Sequence, residues 1–339
     1  MKDSPHLQNF PQLNAFHGKP GFISLIGHRG ARGLMPENTI EGFEYILDND
    51  IIAIEFDVLL TKDEIPVITH DFYLSKAITR NSEGNWLSKD GPRISDLTSS
   101  QLEMFDVGGV DKSSAYGRLY LEQAFLSDVR IPKLTDLLDL ACLPKGQNLF
   151  LLLEIKSEPS VKKSTVIENI VFEIEKRSLS SRTVLHSFDW ELLEECNRLA
   201  PNMPRSYLSQ LPESLDDPYD KPSEEISPDF SSFNGSIPEA IEAAGGHLWC
   251  PYFKDLTADL VAEAHNLGLP VCTWTVNEIE DIDIATIFTP EELKKKLDVS
   301  NFRIIDTGID HGSVTVVTKN NKFELTTLRK DIKTLEKMI

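Results

Sequence analysis

Short apolar runs alternate with longer amphipathic segments along most of this chain. The runs read FISLIG, IAIEFDVLL, NLFLLLEIK, TVLHSF, PRSYLS, HLWC, PVCTWTV and FRIID. Runs of this kind, bounded by turn formers, predict strands. Between and after them, TIEGFEYILDN, TVIENIVFEIEKR, WELLEECNRLA, IPEAIEAAG, TADLVAEAHNLG and TPEELKKKL carry apolar residues at helical spacing. The order is strand then helix, repeated. Such alternation predicts parallel strands joined by crossover helices, and eight strand runs favour a closed TIM-type (β/α)8 barrel over an open doubly wound sheet.

Two stretches interrupt the rhythm. Residues from about 72 to 128 are too long and polar for an ordinary strand-to-helix loop and predict an insertion capping one face of the barrel. Residues 211–236, rich in proline, serine and acid, read as an exposed excursion without a core of its own. After the eighth run, two alternating segments flank Asn320-Asn321 and precede a charged helical pattern. The expected organisation is an N-terminal extension at 1–20, a barrel at 21–311, and a C-terminal hairpin and helix at 312–339.

Composition narrows the setting. With 40% hydrophobic and 26% charged residues, the 339-residue chain can bury a sizeable core. Its formal net charge of −20 argues against nucleic-acid partners and against stable association with anionic membranes. The four cysteines lie far apart and show no metal or redox pairing. No apolar stretch is long enough to span a bilayer, and the first twenty residues lack the apolar centre of a signal peptide, so a cytoplasmic location is expected. A processed exported chain would read the same way. Nothing in the sequence speaks to oligomeric state.

Chemistry collects at strand ends, where barrel enzymes build their sites. His28 and Arg29 follow the first run, Glu55 and Asp57 lie on the second, and Glu154 and Lys156 close the third. Residues two apart on a strand share a face, so each of the last two pairs can point into the barrel. Three converging carboxylates suit a hard divalent cation, Mg2+ or Ca2+, better than zinc. The alternative is an ion-pair network with Arg29 and Lys156 and no metal. IPVITHDF then adds His70 and Asp71 beside another apolar run. Two histidines at one mouth, among cations and acids, can serve as proton donor and acceptor.

The segments GHRGARGLMPENT and IEFDVLLTKDEIPVITHD, followed by IPKLTDLLDL, LLLEIK, HSFD and VCTWTVN, resemble the glycerophosphodiester phosphodiesterase family in order and spacing from about Ile23 to Asp306. The resemblance implies a barrel hydrolysing glycerophosphodiesters, small soluble molecules, to glycerol 3-phosphate and an alcohol. It implies His28 and His70 as acid and base; Glu55, Asp57 and Glu154 as ligands of one divalent cation; Arg29 and Lys156 as phosphate contacts; and Trp274 as a wall on the glycerol side. Asn38 or Thr39 is expected to cap the following helix, and His186 to be a packed imidazole. FRIIDTGIDHG departs from the family's pattern at the eighth strand and leaves Asp306 without a role. The competing readings are a phosphodiesterase acting on lipid or lysolipid, and a barrel that binds without turnover.

Overall fold

The computed structural model describes residues 8–16, 24–49, 51–211 and 230–276 in full, and the backbone of three further strands between 303 and 326. The main sheet begins with β1 (Ala53–Leu60) and the short antiparallel β2 (Pro66–Ile68). It continues through β3 (Phe150–Ile155), β4 (Thr183–Ser187), β5 (Arg205–Ser209) and β6 (Leu248–Pro251), each parallel to its neighbour in the order β1-β3-β4-β5-β6. The first and seventh runs add isolated parallel bridges, one and two respectively, at the two edges. Gly27 pairs with Ile54; Val271 pairs with Trp249 and Trp274 with Tyr252. The edges meet at the rim, where the Thr275 hydroxyl lies 3.1 Å from Nδ1 of His28. The sheet therefore curls round on itself, as a barrel requires.

Alternation along the strands sorts the side chains. Ile54, Phe56, Val58 and Leu60 of β1, with Leu151, Leu153 and Ile155 of β3, pack outward against α1 (Ile40–Asp48), α2 (Leu134–Cys142) and α3 (Lys163–Lys176). The intervening Ala53, Leu152, Val184 and Leu248 point inward near the strands' starts, together with Leu13 and Phe16. The N-terminal segment thus forms the barrel's floor: the turn Pro11–Ala15 inserts Leu13, fully buried, between the strands. Continuing upward by the same period, Glu55, Asp57, Glu154, Lys156 and His186 face the interior near the other end.

The 72–128 segment packs Phe72, Leu74, Ile94 and Leu102 against Leu59 and Val67, a small core of its own at the barrel's upper edge. One expectation fails. FRIID forms a strand, β7 (Arg303–Gly308), but pairs antiparallel with β8 (Ser313–Val317), which pairs with β9 (Lys322–Thr326) in a separate three-stranded sheet. An alternating partner only a few residues downstream offers a ladder with little loop-closure entropy. The eighth barrel position is not filled by this run. The expected helices at 289–297 and at the C-terminus, and most of the 211–236 excursion, lie outside the described residues.

Candidate active site

The loop after the first run is held to β1 by its backbone. Gly27 N–H donates to the Ala53 carbonyl and Glu55 N–H to the Gly27 carbonyl, at 3.0 and 2.8 Å. A Cβ on Gly27 would meet the Gly30 carbonyl at 2.6 Å, so only glycine permits the turn. Arg29 and Gly30 then adopt left-handed φ of 49° and 76°, and Arg29 N–H donates to Glu55 Oε2 at 2.9 Å. The cost of a left-handed arginine is offset by this buried hydrogen bond.

Oxygens of Glu55, Asp57 and Glu154 lie within 4.8 Å of one another, and all three residues are buried. Lys156 Nζ sits 3.0 Å from Asp57 Oδ1 and also contacts Glu154 Oε1. Arg29 Nε is 3.5 Å from Asp57 Oδ2. Burial, then repulsion from Asp57 and Glu154, pushes the Glu55 carboxyl well above the ordinary range. Burial acts upward on Asp57 too, but Lys156, His70 and Arg29 together hold it well below. Oε1 of Glu55 is buried without a hydrogen-bond partner. A crowded carboxylate set with an orphaned oxygen suits a hard cation. The observed Lys156 and Arg29 pairs show that the ion-pair contacts foreseen as the alternative also form.

Both histidines stand beside this cluster. Nε2 of His28 is 3.6 Å from Glu55 Oε2. His70 follows Thr69, whose N–H donates to the Asp57 carbonyl, and its Nδ1 lies 2.7 Å from Asp71 Oδ1. A water-sized cavity of about 10 Å³ opens against His70, Thr69, Glu37 and Asn38. Trp274 lies half-buried on the opposite edge, its indole N–H donating to the Cys250 carbonyl and its ring set edge-on to Phe188.

Several functional contacts escape the sequence. Thr39 caps α1 by accepting from Gly42 N–H, as expected. Asn38 does not cap: at a φ of 54° its Nδ2 donates to Asp57 Oδ2 at 2.8 Å. Glu37 binds Arg29 Nη1 at 3.0 Å and accepts from the Tyr116 hydroxyl, so the 72–128 segment reaches the site. Pro-Glu-Asn-Thr before a helix looks like capping chemistry, and the left-handed Asn38 that turns the pair inward leaves no periodic signal. His186 is packed as expected, with Nδ1 2.8 Å from Ser206 Oγ.

The model of the glycerophosphoryl diester phosphodiesterase family matches residues 28–291. A second model, the poly A polymerase head domain, matches residues 273–338, a stretch that includes the three-stranded sheet. A glycerophosphodiester phosphodiesterase of Caldanaerobacter subterraneus subsp. tengcongensis is 26% identical over 260 residues, covering 76% of this chain and 88% of that protein. The crystal structure of a candidate glycerophosphoryl diester phosphodiesterase from Silicibacter pomeroyi DSS-3 is similar at a TM-score of 0.74 and 46% identity, covering 81% of this chain and 90% of the other. An Oleispira antarctica phosphodiesterase, solved with sn-glycerol-3-phosphate, shares the fold at a TM-score of 0.55 and 23% identity, over 76% of this chain and 85% of that one.

Proposed function

This chain belongs to the glycerophosphoryl diester phosphodiesterase family, and from that premise we propose that it hydrolyses glycerophosphodiesters to glycerol 3-phosphate and an alcohol by histidine acid–base chemistry that depends on one divalent cation. The carrying observation is convergence. His28, His70, Arg29 and Lys156 surround the buried Glu55, Asp57 and Glu154 at one rim of the barrel. Glu55, Asp57 and Glu154 would hold the cation, Mg2+ or Ca2+, which supplies positive charge against the phosphate oxygens and lowers the pKa of a bound hydroxyl.

The protein's own groups supply the remainder. Arg29 and Lys156 balance negative charge that builds on the non-bridging oxygens in the transition state. One histidine takes the proton of the attacking hydroxyl, and the other faces the departing alcohol, a poor leaving group without a proton source. Trp274 walls the glycerol side. We take the glycerol 2-hydroxyl as the nucleophile, because a group already bound beside phosphorus avoids much of the entropic cost of recruiting water. Its oxygen bonds to phosphorus as the alcohol leaves, giving a cyclic phosphate that water opens.

Glycerophosphocholine turnover, with and without a chelator, tests the reading. Turnover that chelation abolishes and Mg2+ or Ca2+ restores is expected, with His28→Ala and His70→Ala each lowering kcat by roughly 10²-fold or more in folded protein. Turnover of lipid substrates alone, or none, moves the assignment to the competing readings. The 2-deoxy analogue should bind and scarcely react; its rapid hydrolysis would replace the 2-hydroxyl by water.

A further inference from the structure

Arg32 has no part in the roles assigned above. It is 3% exposed, and its Nη2 sits 2.9 Å from Nδ1 of His28. A guanidinium carries only donors and stays protonated, so Nδ1 has to offer its lone pair. The Thr275 hydroxyl, 3.1 Å from the same nitrogen, suits either direction because it both donates and accepts. The proton of the neutral imidazole is thereby confined to Nε2, the nitrogen facing Glu55. His70 stands the other way round. Its Nδ1 lies 2.7 Å from the Asp71 carboxylate, which only accepts, so Nδ1 carries the proton and Nε2 the lone pair.

The 72–128 segment grips Arg32 at both ends. The Tyr120 ring lies 5.0 Å from the guanidinium carbon, and the Gln123 amide donates to the Arg32 carbonyl at 2.8 Å. Gln123 is itself 3% exposed. An aromatic face under a buried guanidinium is stabilising and fixes its plane.

We propose that Arg32 is a positioning residue that makes His28 a hydrogen-bond donor through Nε2, with Tyr120 and Gln123 holding the guanidinium in place. The proton-accepting role then falls to His70. This rests on the reading of His28 and His70 as the working pair, and it gives the 72–128 segment a part in the chemistry. Arg32 acts on the orientation of one proton and not on substrate affinity, so its loss should appear in kcat.

Long-range 1H–15N spectra of the imidazoles in the labelled full-length chain test this, with His28 identified by the resonance lost in His28→Ala. Wild-type His28 should show the Nε2–H form alone. In Arg32→Ala the Nδ1–H form should appear, and kcat for glycerophosphocholine should fall at least about tenfold while KM moves less than about twofold. Arg32→Lys, again a donor only, should restore the single form and most of kcat. Tyr120→Leu, which loosens the guanidinium without removing it, should shift both readouts the same way and serves if Arg32→Ala does not fold. A single Nε2–H form that persists in the folded variants overturns the proposal, as does an Nδ1–H form in the wild type. Full turnover by folded His28→Ala would instead remove His28 from the reaction, a result read independently of the tautomer.

Discussion

Glu55 and Asp57 are two residues apart on one strand, both buried, and driven in opposite directions. The difference is in their partners: Asp57 touches Lys156, Arg29 and Asn38, whereas Glu55 has a backbone amide and a distant imidazole. Asp57 is thereby kept ionised as an anchor, and Glu55 retains an oxygen for a further cation. His186, on β4 beside Glu154 of β3, gives the clearest pH dependence. Burial first, and the Lys156 charge second, pull it down to about 3 from the ordinary 6.5. Below the unfolded value the unfolded chain binds a proton that the native state refuses, so native stability falls as pH drops from about 6.5 towards 3 and is unaffected above that window. The loss is about 1.4 kcal/mol per pH unit, or roughly 2 kcal/mol at pH 5. Urea unfolding at pH 7 and pH 5 should show this extra loss in the wild type and not in His186→Asn. Equal losses in both would mean that the imidazole is protonated in the native state.

The elements were read from the sequence where a period existed to read. Alternation in IAIEFDVLL and NLFLLLEIK separates the outward Ile54, Phe56, Leu151 and Leu153 from the inward Glu55, Asp57 and Glu154, and those carboxylates meet as expected. Partners set by loop geometry left no such trace. Asn38 and Glu37 turn inward at a left-handed backbone, Arg32 meets His28 across a tight loop that Tyr120 and Gln123 brace, and Tyr116 meets Glu37 only through the fold of the 72–128 segment. The same limit hid the floor, since residues 1–20 carry no repeat and read as an extension, yet Leu13 fills the space between Ala53, Leu152, Val184 and Leu248. Deleting its buried methyl groups leaves a cavity that rigid strands cannot close. Leu13→Ala should therefore destabilise the barrel by about 2–5 kcal/mol. Because the floor lies at the opposite end from the carboxylates, kcat at a permissive temperature should stay within about twofold of wild type. Chemical denaturation and steady-state assays check the two halves; a change below about 0.5 kcal/mol would show that the segment merely rests on the barrel.

At the scale of the whole molecule, the chain joins a barrel of one family to a C-terminal stretch that matches another, and the two matches overlap at 273–291. The departure at FRIIDTGIDHG then has a plain origin: β7 pairs within its own local sheet. Charge acts across these parts. The formal net charge of −20 sets up a negative field, while the buried cations Arg29 and Lys156 are each paired with carboxylates that offset their charge. A diester whose headgroup is neutral arrives as an anion and is repelled; glycerophosphocholine is a zwitterion of no net charge and is not. Salt shortens the reach of that repulsion, from about 30 Å at 0.01 M to about 8 Å at 0.15 M. With the divalent cation held saturating, kcat/KM for glycerophosphoglycerol should rise roughly two- to tenfold over that range, and that for glycerophosphocholine should stay nearly flat. Two different monovalent salts separate screening from specific ion binding. A fall in kcat/KM for the anionic diester would show that the pocket's cations dominate the field at the mouth and that the barrel steers its anionic substrates in.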